Sequence, residues 1–198
     1  MIQKWLLLLI SLSCFSSVFA KQNRVNQIYT SPDNGMAITE SCVENKESSV
    51  RLSCHYSYQI KEKKPVSLID DFPGQGTISW LGNIAKIHFN CGSYCNNNVF
   101  VDAYKGEDSE NTVVDVDSKS LCMAYLSDNN GISFRKLFQK QIRKTISPND
   151  KKFRFMMSFS ILAIIQESQF DTRGNYIITY MNQEEEEQTK TIKNPCGQ

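Results

Sequence analysis

The stretch VRLSCHYSYQI, residues 50–60, alternates side chains of two kinds without interruption. Apolar or aromatic residues occupy positions 50, 52, 54, 56 and 58, and polar residues occupy the positions between them. Successive side chains of a β-strand point to opposite faces, so this alternation is typical of a strand with one buried face. We therefore predict a strand over residues 50–60 and take it as the starting point for the fold.

A partner for this strand lies just before it in the chain. Residues 36–42 have strand-like composition and follow the turn SPDNG, residues 31–35, in which proline suits the second turn position and Asn-Gly supplies positive φ. Pairing residues 36–42 with residues 50–60 in a hairpin brings Cys42 close to Cys54. The sequence therefore predicts both the hairpin and a Cys42–Cys54 disulfide.

Short strand-like segments separated by turn signals continue along the chain. They are residues 25–30, 66–69, 77–81, 84–89, 99–104, 112–116, 121–126, 132–134, 176–181 and 188–193. Residues 77–81 and 84–89 flank Gly82-Asn83, a typical two-residue hairpin connection. Two segments are ambiguous. The apolar spacing in residues 134–146 favours a helix, with a strand as the alternative, and residues 153–166 favour a long strand over a core helix.

This pattern predicts a mainly β fold. We expect a single domain of antiparallel strands, arranged as a sandwich, a barrel or a propeller-like meander, with at most one or two short helices and with disulfide stabilisation. The stretches SPDNG and SWLGN, residues 31–35 and 79–83, are each followed by an apolar pair and resemble strand–turn–strand units of propeller blades. Two copies do not establish a repeat.

The N-terminus matches a secretory signal peptide. Lys4 is followed by an apolar run over residues 5–15, and Val18 and Ala20 fit the −3 and −1 positions of a cleavage site. The run is shorter than the ~20 residues that span a bilayer. We predict that residues 1–20 are removed and that residues 21–198 form one periplasmic or secreted domain without stable membrane insertion. An uncleaved anchor and a lipoprotein signal are the alternatives.

Six cysteines remain after cleavage, and an even number in an exported chain predicts three disulfides. They are Cys42, Cys54, Cys91, Cys95, Cys122 and Cys196. Besides Cys42–Cys54, we expect Cys91–Cys95 to close a short loop and Cys122–Cys196 to hold the C-terminal tail. Zinc bound by His88, Cys91 and Cys95 is the alternative, which fits poorly where thiols oxidise. We expect no metal and no cofactor.

Net charge argues against a nucleic-acid partner. The full chain has 22 Lys and Arg against 21 Asp and Glu, and cleavage removes Lys4, so the mature chain is neutral. Nucleic-acid binders normally carry a basic excess. Residues 136–154 are locally basic and are explained either by an acidic partner or, more simply, by a solvated face.

Catalytic motifs are weak. The chain has two histidines, His55 and His88, and lacks a Gly-x-Ser-x-Gly sequence. The carboxylate pairs that a hydrolase would need are Asp70 with Asp71 and Asp115 with Asp117. Turns and exposed strand ends explain such pairs equally well, so enzymatic activity is uncertain and is less expected than binding.

Residues 70–104 have the composition of a recognition surface, with Gly, Asn, Ser and aromatic residues around a short predicted disulfide. The candidate partner-binding residues are Phe72, Trp80, Tyr94, Asn96, Asn97 and Asn98. We interpret the chain as a non-catalytic extracytoplasmic protein that binds a protein partner, such as an immunity protein or an inhibitor that neutralises a toxin or a cell-wall hydrolase. The alternatives are a subunit of a surface or envelope complex and an extracytoplasmic hydrolase with a carboxylate site.

Overall fold

Four antiparallel sheets follow one another along the chain. The computed structural model describes residues 22–45, 48–90, 96–158 and 160–197. The first sheet contains β1 (Gln22–Thr30), β2 (Met36–Asn45), β3 (Arg51–Ile60) and β4 (Val66–Phe72). The second contains β5 (Gly76–Leu81), β6 (Ile84–Asn90), β7 (Asn96–Asp102) and β8 (Gly106–Asn111). The third contains β9 (Val113–Val116), β10 (Cys122–Leu126), β11 (Ile132–Lys136) and β12 (Ile142–Ile146). The fourth contains β13 (Ile165–Phe170), β14 (Tyr176–Met181) and β15 (Glu187–Ile192), and a 3-10 helix, Ile161–Ala163, precedes it.

Within each sheet, strands that are adjacent in sequence pair with one another. The prediction of a mainly β, antiparallel and disulfide-stabilised fold is confirmed. Among the described residues there is no helix with the length and apolar character needed to cross a membrane. The predicted signal peptide, residues 1–20, and the predicted Cys91–Cys95 disulfide lie outside the described residues.

The sheets stack face to face. Alternate residues of the central strands are buried in different apolar cores, one on each face of the sheet. In β6 and β7, Ile87 and Val99 pack against the first sheet, whereas Phe100 packs against the third. In β10, Met123 packs toward the second sheet and Ala124 toward the fourth. Three apolar clusters therefore join the four sheets in sequence order. None of these clusters of described residues joins the fourth sheet to the first.

The predicted hairpins form as expected. In β2 and β3, Cys42 lies directly opposite Cys54, and the two residues form a disulfide. A second disulfide joins Cys122, at the start of β10, to Cys196 in the C-terminal tail. The stretches noted for their similarity, residues 31–35 and 79–83, occupy equivalent places in the first hairpins of the first and second sheets.

The helix predicted over residues 134–146 is wrong. The structure has β11, a loop and β12 there. Phe134 is buried between the third and fourth sheets, whereas Leu137 is buried between the second and third. These residues therefore occupy cores on opposite sides of one sheet and cannot form the single apolar stripe of a helix, and Ile142 is 52% exposed.

The long strand favoured over residues 153–166 is also wrong. Phe155 makes only an isolated β-bridge to Asn182, and the chain then runs through irregular structure and the 3-10 helix before β13 begins. Met157, which the alternation places on a buried face, is 93% exposed. A smaller correction concerns the strand predicted over residues 66–69, which continues through residues 70–72 as β4.

Connections between sheets differ greatly in length. Residues 73–75 join β4 to β5 and Thr112 joins β8 to β9, whereas residues 147–164 join β12 to β13. We call residues 147–164 the connection loop. Because the strands are antiparallel meanders, all three connections lie at the same end of the stack, which we call the connection end. The hairpin turns between β3 and β4 and between β7 and β8 lie at the opposite end.

A buried ion pair links the second and third sheets. The guanidinium of Arg135, on β11, donates to both carboxylate oxygens of Asp108, on β8, at 2.5 and 3.0 Å, and to Glu110 at 3.2 Å. Asp108 also accepts from the backbone N–H of Phe138 at 2.7 Å. Burial alone would lower the pKa of Arg135, but the hydrogen bonds to Asp108 and Glu110 raise it, so its guanidinium remains charged.

A second buried carboxylate lies between the first and second sheets. Glu40 accepts from the hydroxyl of Tyr56 at 2.7 Å, from Arg51 at 2.9 Å and from Tyr29 at 3.3 Å. The Tyr56 hydroxyl in turn accepts from the backbone N–H of Gly76 at 2.5 Å, at the start of β5. Burial and the bond to Glu40 raise the pKa of Tyr56, so its proton stays in this network.

Removing the two disulfides separately should have unequal effects. Closing a loop between residues 74 apart is worth about 4.5 kcal/mol in the chain-entropy model, against about 3 kcal/mol for residues 12 apart. Urea unfolding should therefore show that Cys122→Ala/Cys196→Ala loses about 1.5 kcal/mol more stability than Cys42→Ala/Cys54→Ala. Equal losses would contradict this explanation.

Breaking the buried ion pair should cost more than breaking an exposed one. Asp108→Asn keeps an acceptor for Phe138 but leaves the buried Arg135 guanidinium with Glu110, at 3.2 Å, as its remaining carboxylate, and we expect a loss of about 3 kcal/mol in the free energy of unfolding. Asp108→Asn/Arg135→Met should recover part of that loss. Glu184→Gln, which breaks the exposed pair with Arg154, is the control and should cost less than about 1 kcal/mol.

Candidate functional site

The connection loop surrounds a pocket at the connection end of the molecule. Connections of this length are uncommon in compact domains, where most have about 4–6 residues, and long loops are where binding sites often occur. The pocket has a volume of about 470 Å³, within the range of small-ligand sites. Its lining residues are Pro148, Asn149, Asp150, Lys151, Arg154, Phe155, Met156, Met157, Ser158, Ile161, Ile164 and Gln183. We call it the loop pocket.

The inner wall of the loop pocket is apolar and fixed. Phe155, Ile161 and Ile164 are each at most 3% exposed. Phe155 stacks on Phe153 with ring centroids 5.0 Å apart and meets Tyr180 edge-on at 4.6 Å. Burial and the negative charge of Asp150 raise the pKa of Tyr180, whose hydroxyl donates to the Phe153 carbonyl at 2.8 Å. The aromatic wall is thus anchored to the fourth sheet.

Backbone bonds hold the loop in place around this wall. Met156 N–H donates to the Met181 carbonyl at 3.1 Å, and Met181 N–H donates to the Ile164 carbonyl at 3.0 Å. The 3-10 helix begins at Ser160, whose side chain accepts from Leu162 N–H. Two backbone hydrogen bonds therefore tie the loop to Met181, the last residue of β14.

Arg154 has an unusual backbone conformation at the pocket rim. Its φ is +50°, in the left-handed region that residues other than glycine rarely adopt. Three contacts hold it there: its N–H bonds the Asp150 carbonyl, its carbonyl accepts from Gln183, and its guanidinium pairs with Glu184. Arg154 is one of eleven described residues other than glycine with positive φ, so this conformation does not by itself mark a functional site.

The mouth of the loop pocket is formed by the exposed side chain of Met157. An unbranched thioether side chain can adapt to different apolar partners. The described lining residues include no histidine and no cysteine. The pocket can bury an apolar group of a ligand beside two charged side chains at its rim, Asp150 and Lys151.

Four of the residues predicted to bind a partner are described with their side chains, namely Phe72, Trp80, Asn97 and Asn98. Phe72 is half-buried and packs on Phe89 with ring centroids 4.5 Å apart, and Trp80 packs on the core between the first and second sheets. Asn98 is 1% exposed and its side chain contacts His88 at 3.1 Å, while Asn97 is half-buried. Tyr94 and the side chain of Asn96 lie outside what the structure describes.

The candidate catalytic groups have structural partners. His55 Nδ1 contacts the carboxylate of Asp70 on the exposed face of the first sheet. Asp71 accepts from Ser53, and Asp115 accepts from the N–H of Phe170 at 2.7 Å. Asp117 accepts from the backbone of residues 119 and 120 in the turn that follows β9.

The side chains around Glu40 do not fit a metal site. The Glu40 carboxylate lies within 4.8 Å of the sulfur atoms of Cys42 and Cys54. Both sulfurs are joined in a disulfide, so neither is available as a thiolate ligand. The carboxylate already receives the cation of Arg51, which satisfies its charge.

The sequence analysis did not find the loop pocket because residues 153–157 have the alternating pattern of a strand. Phe153, Phe155 and Met157 alternate with polar residues, but the first two point into one core and the third into solvent. The feature of the sequence that could have indicated the pocket is the large number of residues between the Ser147-Pro148 turn and the next clear strand. Comparison with protein-family models, with curated proteins and with solved structures finds no match.

Proposed function

We propose that this chain is a non-catalytic extracytoplasmic binding protein that holds an apolar side chain of a protein partner in the loop pocket. The observation that carries the proposal is a pocket of about 470 Å³ with a buried wall of Phe155, Ile161 and Ile164 and an almost fully exposed Met157 at its mouth. Exposed apolar side chains beside an apolar cavity are typical of binding surfaces.

Rigidity supports binding at this place. The loop is mounted on the fourth sheet, and the sheets are joined by three apolar clusters and by the Cys122–Cys196 disulfide. Recognition residues are commonly carried on loops above a rigid scaffold, because a site that is already ordered loses less conformational entropy when a partner binds. Disulfides also suit an oxidising compartment outside the cytoplasm.

The finer form of the proposal is an inhibitor or immunity protein, which neutralises a toxin or a cell-wall hydrolase by occupying its surface. Such a protein needs a preformed surface and no chemistry of its own. The loop pocket meets that requirement with an apolar centre and a charged rim of Asp150, Lys151 and Arg154. Centres of this kind, surrounded by polar residues, carry most of the energy in protein interfaces.

A charge placed at the pocket mouth should abolish partner binding. Met157→Glu should lower affinity at least tenfold, because burying a methionine side chain is worth about 1.5–3 kcal/mol and the carboxylate would be desolvated. The measurement is capture from an envelope extract followed by titration of the captured partner. Tyr104→Glu is the matched control, since Tyr104 is 98% exposed in the turn between β7 and β8, at the opposite end.

The expected result is one partner, at one-to-one stoichiometry, that wild type and Tyr104→Glu retain and Met157→Glu loses. Near-UV circular dichroism of all three proteins checks that the fold is unchanged. Equal retention by Met157→Glu would remove the loop pocket from the interface. Repeated failure of wild type to retain any partner would count against the binding function itself.

A further inference from the structure

A second cavity lies between the edge strands of the third and fourth sheets. It has a volume of about 540 Å³ and opens between β12 and β15. Its floor contains Ile146, Ile192 and Phe153, which are 1%, 5% and 9% exposed. We call it the lysine groove, because four of its lining residues are Lys144, Lys152, Lys190 and Lys193. These lysines come from three separate segments of the chain.

The four ammonium groups are not neutralised by carboxylates. Within residues 22–45, 48–90, 96–158 and 160–197, none of the ion pairs involves any of them. Lys190 lies over the Phe153 ring, with its nitrogen 5.0 Å from the centroid. The other charge on the groove is Asp150, one of whose carboxylate oxygens already accepts from the backbone N–H of Lys152 at 2.9 Å.

Acidic side chains lie on the neighbouring surface and do not line the groove. Glu184 and Glu186 line that surface together with Lys152 and Lys190, and Glu184 pairs with Arg154. The groove itself is lined by four lysines and one aspartate, so its lining carries an excess of positive charge.

We propose that the lysine groove binds a ligand that carries two or more phosphate or sulfate groups. Lysine ammonium groups bind oxyanions as point charges, and several of them around one cavity favour a multiply charged ligand. The four lysines come from three segments and line one cavity, so a ligand with several anionic groups can contact more of them at once than a single anion can.

The lysine groove and the loop pocket are independent sites that share Asp150 on their borders. Like charges gathered in one groove repel one another, and an anion would relieve that repulsion. Ligand binding to the folded state alone also raises the thermal midpoint. The proposal can therefore be tested on the purified protein without knowledge of its protein partner.

The test uses isothermal titration with three probes: tripolyphosphate, a heparin-derived hexasaccharide and inorganic phosphate. We expect at least one of the first two probes to bind wild type and to raise its thermal midpoint, with inorganic phosphate at least tenfold weaker. The probe that binds identifies the source of the oxyanions as a polyphosphate or a sulfated glycan.

Two double variants locate the binding. Lys144→Gln/Lys193→Gln should lower the affinity at least tenfold, while Lys61→Gln/Lys64→Gln, which removes the same charge from the β3–β4 turn at the opposite end, should change it less than twofold. Lack of binding of both multivalent probes to wild type would overturn the proposal. Equal losses in the two variants, or phosphate binding as tight as either probe, would overturn it as well.

Discussion

Face-to-face burial of successive sheets is the constraint on which the rest of this structure depends. A β-strand has two faces, and in the second and third sheets both faces are covered, so alternate residues of one strand enter different cores. Met123 and Ala124 are neighbours in sequence and belong to separate apolar clusters. The order of the sheets in the stack therefore follows their order in the chain, and very short connections suffice between the first three.

Polar contacts fix how the sheets sit on one another. Apolar packing is not directional, whereas hydrogen bonds across the interfaces have defined partners. Asp108 accepts from Arg135 between the second and third sheets, and the Tyr56 hydroxyl, which donates to Glu40, accepts from the N–H of Gly76 between the first and second sheets. An ion pair such as Asp108–Arg135 contributes little net stability over an apolar pair but strongly disfavours arrangements that would separate it. We regard these networks as the features that select one relative placement of the sheets.

The same architecture accounts for the two surfaces proposed to bind ligands. The connection between the third and fourth sheets is much longer than the others, and its surplus residues enclose the loop pocket. The lysine groove lies along the outer edges of the same two sheets, where β12 and β15 have no further strand to pair with in their sheets. Both sites thus lie at the third and fourth sheets, where one long connection replaces the short connections between the earlier sheets.

Local patterns in the sequence were enough to determine that this chain is β-rich and antiparallel, which hairpins form, and that Cys42 lies beside Cys54, because alternation, turn residues and cross-strand neighbours depend on a few adjacent positions. Only the tertiary structure decided that Phe134 and Leu137 enter different cores, that residues 148–151, 154–158, 161 and 164 line a pocket, and that lysines from three segments converge. Each of those outcomes depends on which sheet packs on which face, and distant parts of the chain set that packing.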